Sequence, residues 1–544
     1  MFDRKINVSA VLIIAWGILQ VLCLAFRPYI PIDETRYVSV AWEMWIRNDF
    51  LVPYLNGVSY SHKPPMLSWL IHAGWFLFGV NEWWPRLVSP LFSLGSLFMI
   101  RRIACLLWPD NKEAQFNVPL ILFSTLLWTI FNTVLMFDMI MTFFILVALF
   151  GMLKVHKEKK QGYWILSSVA IGLGALTKGP VVLLPILSVG LLAPFWTDNR
   201  EVNWVRWYVG LILSAVGGIL IGLSWVAAIV AHSGLDYVKD ILFSQTFNRV
   251  VSSFDHARPF WFYLVMIPLV WFPWSLYPPL WKKLKGIKEY TTDPGVRFVL
   301  TWLCVPLILF SLISGKQIQY IMPLFPAFAL LTGYLLSLDS SSSRRALWPA
   351  CIVLCCFGMI FIVSLHFIPA SFIGLPFRGP EHIPPLMLPF SGLFMLVAGI
   401  CLFKTKLTNR RQEILLMSLI SVGLVYITLF GILRTIRPAF DVTRFSHFIS
   451  DQRKEGNDVV VNSRRYFGQF NFLGRLTSPV LRKKDAELEA WVSANPNGFV
   501  MEYLKKYPSN YTEAALIVPY INQYIAAWPA KDYLNMKARM NQPL

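Results

Sequence analysis

Asp33-Glu34-Thr35-Arg36-Tyr37 and, somewhat later, Ser61-His62-Lys63-Pro64-Pro65 set carboxylates, an arginine and a lysine just beyond the first long apolar stretch of this chain. A carboxylate can take a proton from an attacking hydroxyl or amine, and cations can hold a phosphate leaving group. Ionisable groups next to lipid are expensive and usually mark a function. The combination points to group transfer from a lipid phosphate. Asp33, Arg36 and Tyr37 stand at i, i+3 and i+4, so a helix would put them on one face, with Asp33 as base and Arg36 beside it holding an anion. The bland alternative is a single surface ion pair. Lys63 precedes a diproline, which restricts it to extended backbone and starts helices well. It would then stand at a helix N-terminus, where backbone N–H groups also favour an anion. The bland alternative is an interfacial lysine reaching for headgroups.

Four further stretches carry the same kinds of group. Asp138 opens an apolar run in Phe137-Asp138-Met139, either as a site carboxylate or as a charge that complements the helix dipole. Lys178 sits in the tight turn Thr177-Lys178-Gly179-Pro180, within reach of an anion or of headgroups. His256-Ala257-Arg258-Pro259-Phe260-Trp261 combines an aromatic belt with the planar fork of Arg258, which suits phosphate. Ser314 to Tyr320 fills a short turn from which Lys316 and Tyr320 could face the same cavity. His62 and His256 leave a divalent metal open, although two distant histidines make a weak ligand set.

The elements that position these groups follow from composition. Of 544 residues, 56% are hydrophobic and 15% charged, against about 25% charged in a typical soluble protein. The mean hydropathy is +0.54. The chain is therefore read as a polytopic α-helical membrane protein. Apolar runs of the length that crosses a bilayer, about 17 to 25 residues, lie near 8–26, 86–107, 117–134, 138–155, 163–176, 180–196, 206–231, 260–279, 297–314, 318–337, 347–368, 385–403 and 414–433, giving about 13 transmembrane helices. The first has no small-residue cleavage site and is read as a retained helix. The segment 64–80 is short and follows two prolines, so a surface or re-entrant helix is expected there.

Charge orients these spans. With the N-terminus cytoplasmic, the inside loops hold Arg101, Arg102 and Lys112; Lys154, Lys157, Lys159 and Lys160; Arg200; Lys282, Lys283, Lys285 and Lys288; Arg344 and Arg345; and Lys404, Lys406, Arg410 and Arg411. All six chemistry-bearing stretches then share the outer side. The net charge of +19 is explained by this bias and by anionic lipid. Nucleic acid is not expected, because the basic residues form short clusters between apolar runs. All seven cysteines fall in expected spans and are read as packing residues without disulfides. No Walker, Rossmann or HExxH pattern occurs.

The division expected is a transmembrane part over 1–433, with the first outer loop over 27–85, and an outer, periplasmic part over 434–544. The latter is polar and alternates β-rich stretches at 458–461, 498–501 and 515–518 with a helical pattern near 485–492, so a small α/β domain is expected.

These segments resemble the bacterial lipid A aminoarabinose transferases and, more widely, the protein O-mannosyltransferase superfamily of GT-C fold glycosyltransferases. The resemblance is carried by Asp33 to Tyr37, the Lys63-Pro64 turn, Asp138, Thr177-Lys178-Gly179, the stretch from His256 to Tyr263 with its Pro-Phe-Trp core, and Gly315-Lys316 to Tyr320, in order over about 8–335. It implies a GT-C type fold and inverting transfer of a sugar from an undecaprenyl-phosphate carrier at the outer face of the bacterial inner membrane. It implies Asp33 as the catalytic carboxylate with Glu34 in support, and Arg36, Lys63, Arg258, Lys316 and Tyr320 at the carrier phosphate. Tyr37, Asp138 and Lys178 would lie at the acceptor or in the structural core of the site. One departure is His62, where the aminoarabinose enzymes usually carry Glu before the Lys-Pro turn. Some relatives bind a metal there, so His62 with His256 would keep or alter such a site, and the sugar could be another amino sugar or a hexose.

The expected function is thus transfer of aminoarabinose or a related sugar to lipid A or another envelope glycan, with no cofactor required, by a monomer among membrane lipids. A clamped polyprenyl phosphate is a good leaving group, so neither nucleotide nor metal is needed. Within enzymes the rival is a protein O-mannosyltransferase. Outside them it is a transporter of lipid-linked sugars, which would show inverted repeats and polar residues at mid-bilayer; the charges here gather at one face instead. A purely structural membrane scaffold leaves those charges unexplained.

Overall fold

The computed structural model describes residues 7–197, 202–234, 257–339, 341–342, 344–367, 387–405, 407, 409–463, 466–505, 507 and 513–540. The first helix, α1 (Val8–Phe26), is capped by Asn7, whose side chain accepts from the Ser9 N–H at 3.1 Å. The amphipathic α2 (Asp33–Arg47) follows, with Asp33 and Glu34 in its first turn, where acidic groups complement the helix dipole. A two-residue hairpin, β1 (Tyr54–Leu55) and β2 (Val58–Ser59), turns through Asn56 and Gly57 at φ 53° and 82°, the positive values such turns require. Next come α3 (Met66–Phe78), directly after Pro64-Pro65, α4 (Trp83–Leu107), α5 (Lys112–Ser124), α6 (Leu126–Phe131), α7 (Phe137–Glu158), α8 (Tyr163–Lys178), α9 (Leu183–Leu191), α10 (Ala193–Trp196) and α11 (Trp204–Ser233). Helices at Phe262–Val270, Pro294–Leu312, Phe325–Ser337, Trp348–Phe367, Met387–Lys404 and Arg410–Phe440 complete the bundle.

Among the described residues, six helices are long and apolar enough to cross a membrane. Several expected spans are interrupted. The run 117–134 breaks into α5 and α6 at Thr125, whose backbone is extended and whose hydroxyl donates to the Ile121 carbonyl at 2.7 Å. The freed Leu126 N–H donates to the Phe272 carbonyl at 2.8 Å. The run 260–279 is interrupted in turn at Trp271 to Leu276. Broken helices are tolerated at this depth where neighbouring segments satisfy the backbone, as here. Between α8 and α11 the helices approach through glycines: a Cβ on Gly172 would sit 2.6 Å from Ile221, and one on Gly218 would sit 2.4 Å from Ile171. Small residues at such contacts allow tight packing in lipid. All seven cysteines are free.

The C-terminal part forms a mixed five-stranded sheet of order β4-β3-β5-β7-β6, with β3 (Val459–Asn462), β4 (Leu481–Lys483), β5 (Phe499–Leu504), β6 (Leu516–Tyr520) and β7 (Gln523–Pro529). β3 runs parallel to β4 and β5; β7 runs antiparallel to β5 and β6. Alternation along the strands divides its two faces. Val460, Val500, Ala526 and Trp528 pack with Leu488, Tyr533 and Met536 of the helices Ala486–Ala494 and Ala530–Met540. Val459, Val461, Met501 and Ile525 face the core that includes α2 and α3. Polar contacts fix that seam. Ser39 donates to the Gly468 carbonyl at 2.7 Å, Trp42 Nε1 to the Leu476 carbonyl at 2.8 Å, and Asn56 exchanges two bonds with the Val480 backbone, at 3.0 and 2.7 Å. Trp75 stacks on Phe472 with centroids 5.3 Å apart. The sheet therefore braces the back of the helix that carries Asp33.

Candidate active site

The first turn of α2 holds two carboxylates in opposite circumstances. Asp33 is 64% exposed. One of its oxygens, Oδ1, pairs with the Arg36 guanidinium and faces the Tyr37 hydroxyl at 3.5 Å. Among the described residues nothing donates to Oδ2. Burial pushes the Tyr37 hydroxyl well above its usual pKa, and the Asp33 charge adds to this, so Tyr37 stays protonated and serves as a donor. The three residues share one face, as the i, i+3, i+4 spacing expects.

Glu34 points the other way, into the protein, and is fully buried. It pairs through both oxygens with Arg27, and accepts from the backbone N–H groups of Ile30 and Leu135, each at 2.7 Å. Arg27 also donates to the Thr133 carbonyl at 2.6 Å. Glu34 thus ties the end of α1, the start of α2 and the segment entering α7 together, and has no oxygen to spare for a substrate. Its support of Asp33 is positional. Arg86 of α4 adds to the same corner, donating to the Arg27 carbonyl at 2.6 Å.

Phe137, at the start of α7, joins the α2 cluster to a second one. The Tyr37 ring meets it edge-on at 4.9 Å, and the Lys63 ammonium lies over it at 5.7 Å. Tyr37, Tyr60, Lys63, Pro64 and Phe137 line one crevice. The next residue, Asp138, is 4% exposed and pairs with Lys178 at 2.5 Å. The Lys178 ammonium stands 4.6 Å from the centre of the Tyr320 ring. Ser89 fixes this approach to α7 by exchanging two 2.8 Å bonds with the Met136 backbone.

The last two stretches lie side by side. Ala257 and Gly315 form a β-bridge, the Arg258 N–H donates to the Ser314 carbonyl at 3.1 Å, and the buried Tyr263 hydroxyl donates to the Gln317 carbonyl at 3.2 Å. The Arg258 side chain is exposed. Lys316 is only 4% exposed, and its ammonium donates to the Arg258 carbonyl at 2.9 Å and the Ile313 carbonyl at 2.5 Å. Rather than facing a cavity as expected, it staples the segment carrying Arg258 to the segment carrying Tyr320. A turn this short allows a lysine to point either way, and sequence does not choose.

Phe137 therefore stands between the cluster of Asp33, Arg36, Tyr37 and Lys63 and the cluster of Asp138, Lys178 and Tyr320, with Arg258 and Lys316 on the segments flanking Tyr320. The reading from sequence missed Arg27, Arg86 and Phe137. Phe137 had one signal, its place beside Asp138. Arg27 and Arg86 had only their positions beside apolar runs. The His62 ring lies tilted beside that of Tyr60, with centroids 5.1 Å apart. Its suggested metal partner His256 lies outside the described residues, and among the described residues no three His, Cys, Asp or Glu side chains gather as a metal site.

Because Asp138 is buried and the Lys178 side chain is only 11% exposed, removing the lysine leaves an uncompensated charge, which costs up to about 3–5 kcal/mol. Lys178→Met is expected to lower the thermal midpoint of the purified protein accordingly, and Lys178→Arg to restore most of it. A midpoint unchanged in Lys178→Met would show that the pair is solvated.

Residues 62–225 match the family model described as dolichyl-phosphate-mannose-protein mannosyltransferase. The undecaprenyl phosphate-alpha-4-amino-4-deoxy-L-arabinose arabinosyl transferase of Pectobacterium atrosepticum is 29% identical over 330 residues, covering 59% of this chain and 58% of that protein. The enzyme of the same name from Yersinia enterocolitica is 28% identical over 416 residues, 74% of this chain and 73% of its own. The match to the first of these thus spans less than two thirds of its length. The crystal structure of ArnT from Cupriavidus metallidurans bound to undecaprenyl phosphate superposes with a TM-score of 0.72 at 18% identity, over 96% of this chain and 97% of that one. That likeness carries the fold: this chain is a multi-pass helical membrane protein of GT-C type. The resemblance to the aminoarabinose transferases read from its motifs is borne out in sequence and in fold.

Proposed function

We propose that this chain is an inverting glycosyltransferase that moves aminoarabinose or a related sugar from an undecaprenyl-phosphate carrier to lipid A or another envelope glycan. The observation that carries the reading is the exposed Asp33 carboxylate, with Oδ2 open, on a surface that also presents Arg36 and Lys63. The names and fold of the relatives above support it.

The steps follow from these groups. The acceptor hydroxyl approaches Asp33 Oδ2, its oxygen bonds to the anomeric carbon, and its proton passes to the carboxylate as the bond forms. The bond between that carbon and the carrier phosphate breaks on the opposite face, which inverts the centre. The electron pair leaves with the phosphate, whose charge Arg36, Lys63 and Arg258 take up. Arg36 Nε is buried and meets no acceptor among the described residues, which leaves it a donor for a phosphate oxygen. Asp138 and Lys178 shape the neighbouring wall, where the acceptor would lie, and Tyr320 beside Lys178 is a further contact near the phosphate. Because cations already present neutralise the leaving group, the reaction is proposed to run without a cofactor.

The placement proposed is the inner membrane, with about 13 spans, a cytoplasmic N-terminus, and a transmembrane part over 1–433. The part over 434–544 would form a periplasmic domain, and the protein would act as a monomer. A second reading, with protein serine or threonine as acceptor, draws on the family model that matches residues 62–225.

Mass spectrometry of lipid A from cells carrying the gene or an empty vector tests the acceptor. A sugar-sized increment present only with the gene is expected. Its absence, together with a sugar on a secreted protein, would move the acceptor to protein.

A further inference from the structure

The seam between α2 and the C-terminal sheet contains a cavity of about 380 Å³, lined in part by Trp42, Glu43, Arg47, Asn471, Thr477 and Ser478. Small-molecule sites run from about 300 to 1,000 Å³. One wall is a carboxylate whose hydrogen bonding is incomplete. Glu43 is 5% exposed. Its Oε1 accepts from Arg47 Nη2 at 2.8 Å and from the Gly57 N–H at 2.8 Å. Its Oε2 is buried and meets no donor among the described residues. Buried polar atoms in native proteins are nearly always satisfied, by protein groups, water, an ion or a ligand, so this oxygen has a bond to accept from a partner.

The surroundings narrow that partner. Arg47 already balances the Glu43 charge, so an anion gains nothing here. Thr477 and Ser478 add hydroxyls at the rim, while the Trp42 indole adds a flat apolar wall, its own N–H spent on the Leu476 carbonyl at 2.8 Å. A ligand with several hydroxyls, an apolar C–H face and no negative charge fits all three features. We propose that this cavity is a saccharide subsite, in which a hydroxyl or amine of a sugar ring donates to Glu43 Oε2 while the ring lies against Trp42. Resting on the glycosyltransferase reading, the ring belongs to the acceptor glycan. Glu43 lies ten residues beyond Asp33 on one helix, about 15 Å along its axis. The ring held there is therefore remote from the reacting hydroxyl, and binding it sets the register of the acceptor.

The test uses the full chain in nanodiscs, with D-glucosamine and methyl glucoside as probes in saturation-transfer NMR. Two variants are compared with wild type: Glu43→Gln, which replaces the open acceptor by a donor, and Thr477→Trp, which fills the cavity from its exposed rim and leaves Glu43 intact. Wild type is expected to show probe signals that both variants lose. Both are also expected to raise the KM for lipid A about fivefold to tenfold, the scale of one hydrogen bond, with kcat essentially unchanged. Absence of probe signals in wild type, or signals and KM retained in both variants, overturns the subsite. Probe signals lost in both variants, with no transfer by wild type, would leave a saccharide site standing and remove the glycosyltransferase reading instead.

Discussion

Asp33→Asn is expected to slow sugar transfer by about 100-fold or more, while the protein melts at the wild-type temperature. The two halves of this expectation have separate causes. Asp33 is 64% exposed, and its ion pair with Arg36 is an i, i+3 surface contact. Such pairs contribute about 0–1 kcal/mol, too little to explain the residue by stability. Asparagine keeps the size and the contact with Tyr37 but cannot take a proton. The loss should therefore appear equally in kcat and kcat/KM, because the interaction removed is made only as the proton moves. Rates of undecaprenyl phosphate release by purified wild type and variant decide it. A rate within a few-fold of wild type would remove Asp33 as the base.

The neighbouring carboxylate should give the opposite pattern. Glu34→Ala leaves the Arg27 guanidinium buried without its partner, and also orphans the Ile30 and Leu135 N–H groups. Breaking a buried ion pair costs about 3–5 kcal/mol, a large share of the net stability of a folded domain. Glu34→Ala is therefore expected to lower the thermal midpoint and the yield of folded protein far more than Asp33→Asn does. Activity falls with it, because the first turn of α2 loses its tie to α1 and α7. The double variant Arg27→Met/Glu34→Met should recover part of the stability, since an apolar pair of similar size avoids the unpaired charge. It should not recover all of it, because the two N–H groups stay unsatisfied. If Glu34→Ala melted like wild type, the corner would be solvated and the tie would not exist.

These two residues also show what could be read in advance. Adjacent in sequence and alike in chemistry, they were separated only by the fold. The partner of Glu34 is Arg27, but the pair is also held from a hundred residues on, by the Leu135 N–H that donates to Glu34 and the Thr133 carbonyl that accepts from Arg27. No local pattern announces such a pairing. The face shared by Asp33, Arg36 and Tyr37 was legible because helical spacing alone fixes it. The placement of the six stretches on one side of the membrane is an expectation from charge bias, which needs only the side of each loop. The direction of Lys316 could not be read, since a short turn leaves that choice to packing.

The fold divides in the same way. Long apolar runs such as 8–26 and 138–155 emerged as helices close to their expected bounds. The run 117–134 was equally apolar, yet breaks at Thr125, because a hydroxyl and the Phe272 carbonyl supply the bonds a continuous helix would have made. In the C-terminal part, β3, β5 and β6 carried alternating or β-branched residues and could be read. β7 is buried on both faces and was not identified, its pattern giving no alternation to recognise.

The proposed reaction breaks the bond to the carrier phosphate on this protein. Its most direct test incubates the purified chain with undecaprenyl-phosphate-linked aminoarabinose and lipid A in liposomes, and follows free undecaprenyl phosphate and acceptor mass together. Carrier release and acceptor gain are expected to rise in equal amounts with wild type and not with Asp33→Asn. Donor that crosses the bilayer with its sugar still attached, and an acceptor of unchanged mass, would contradict it.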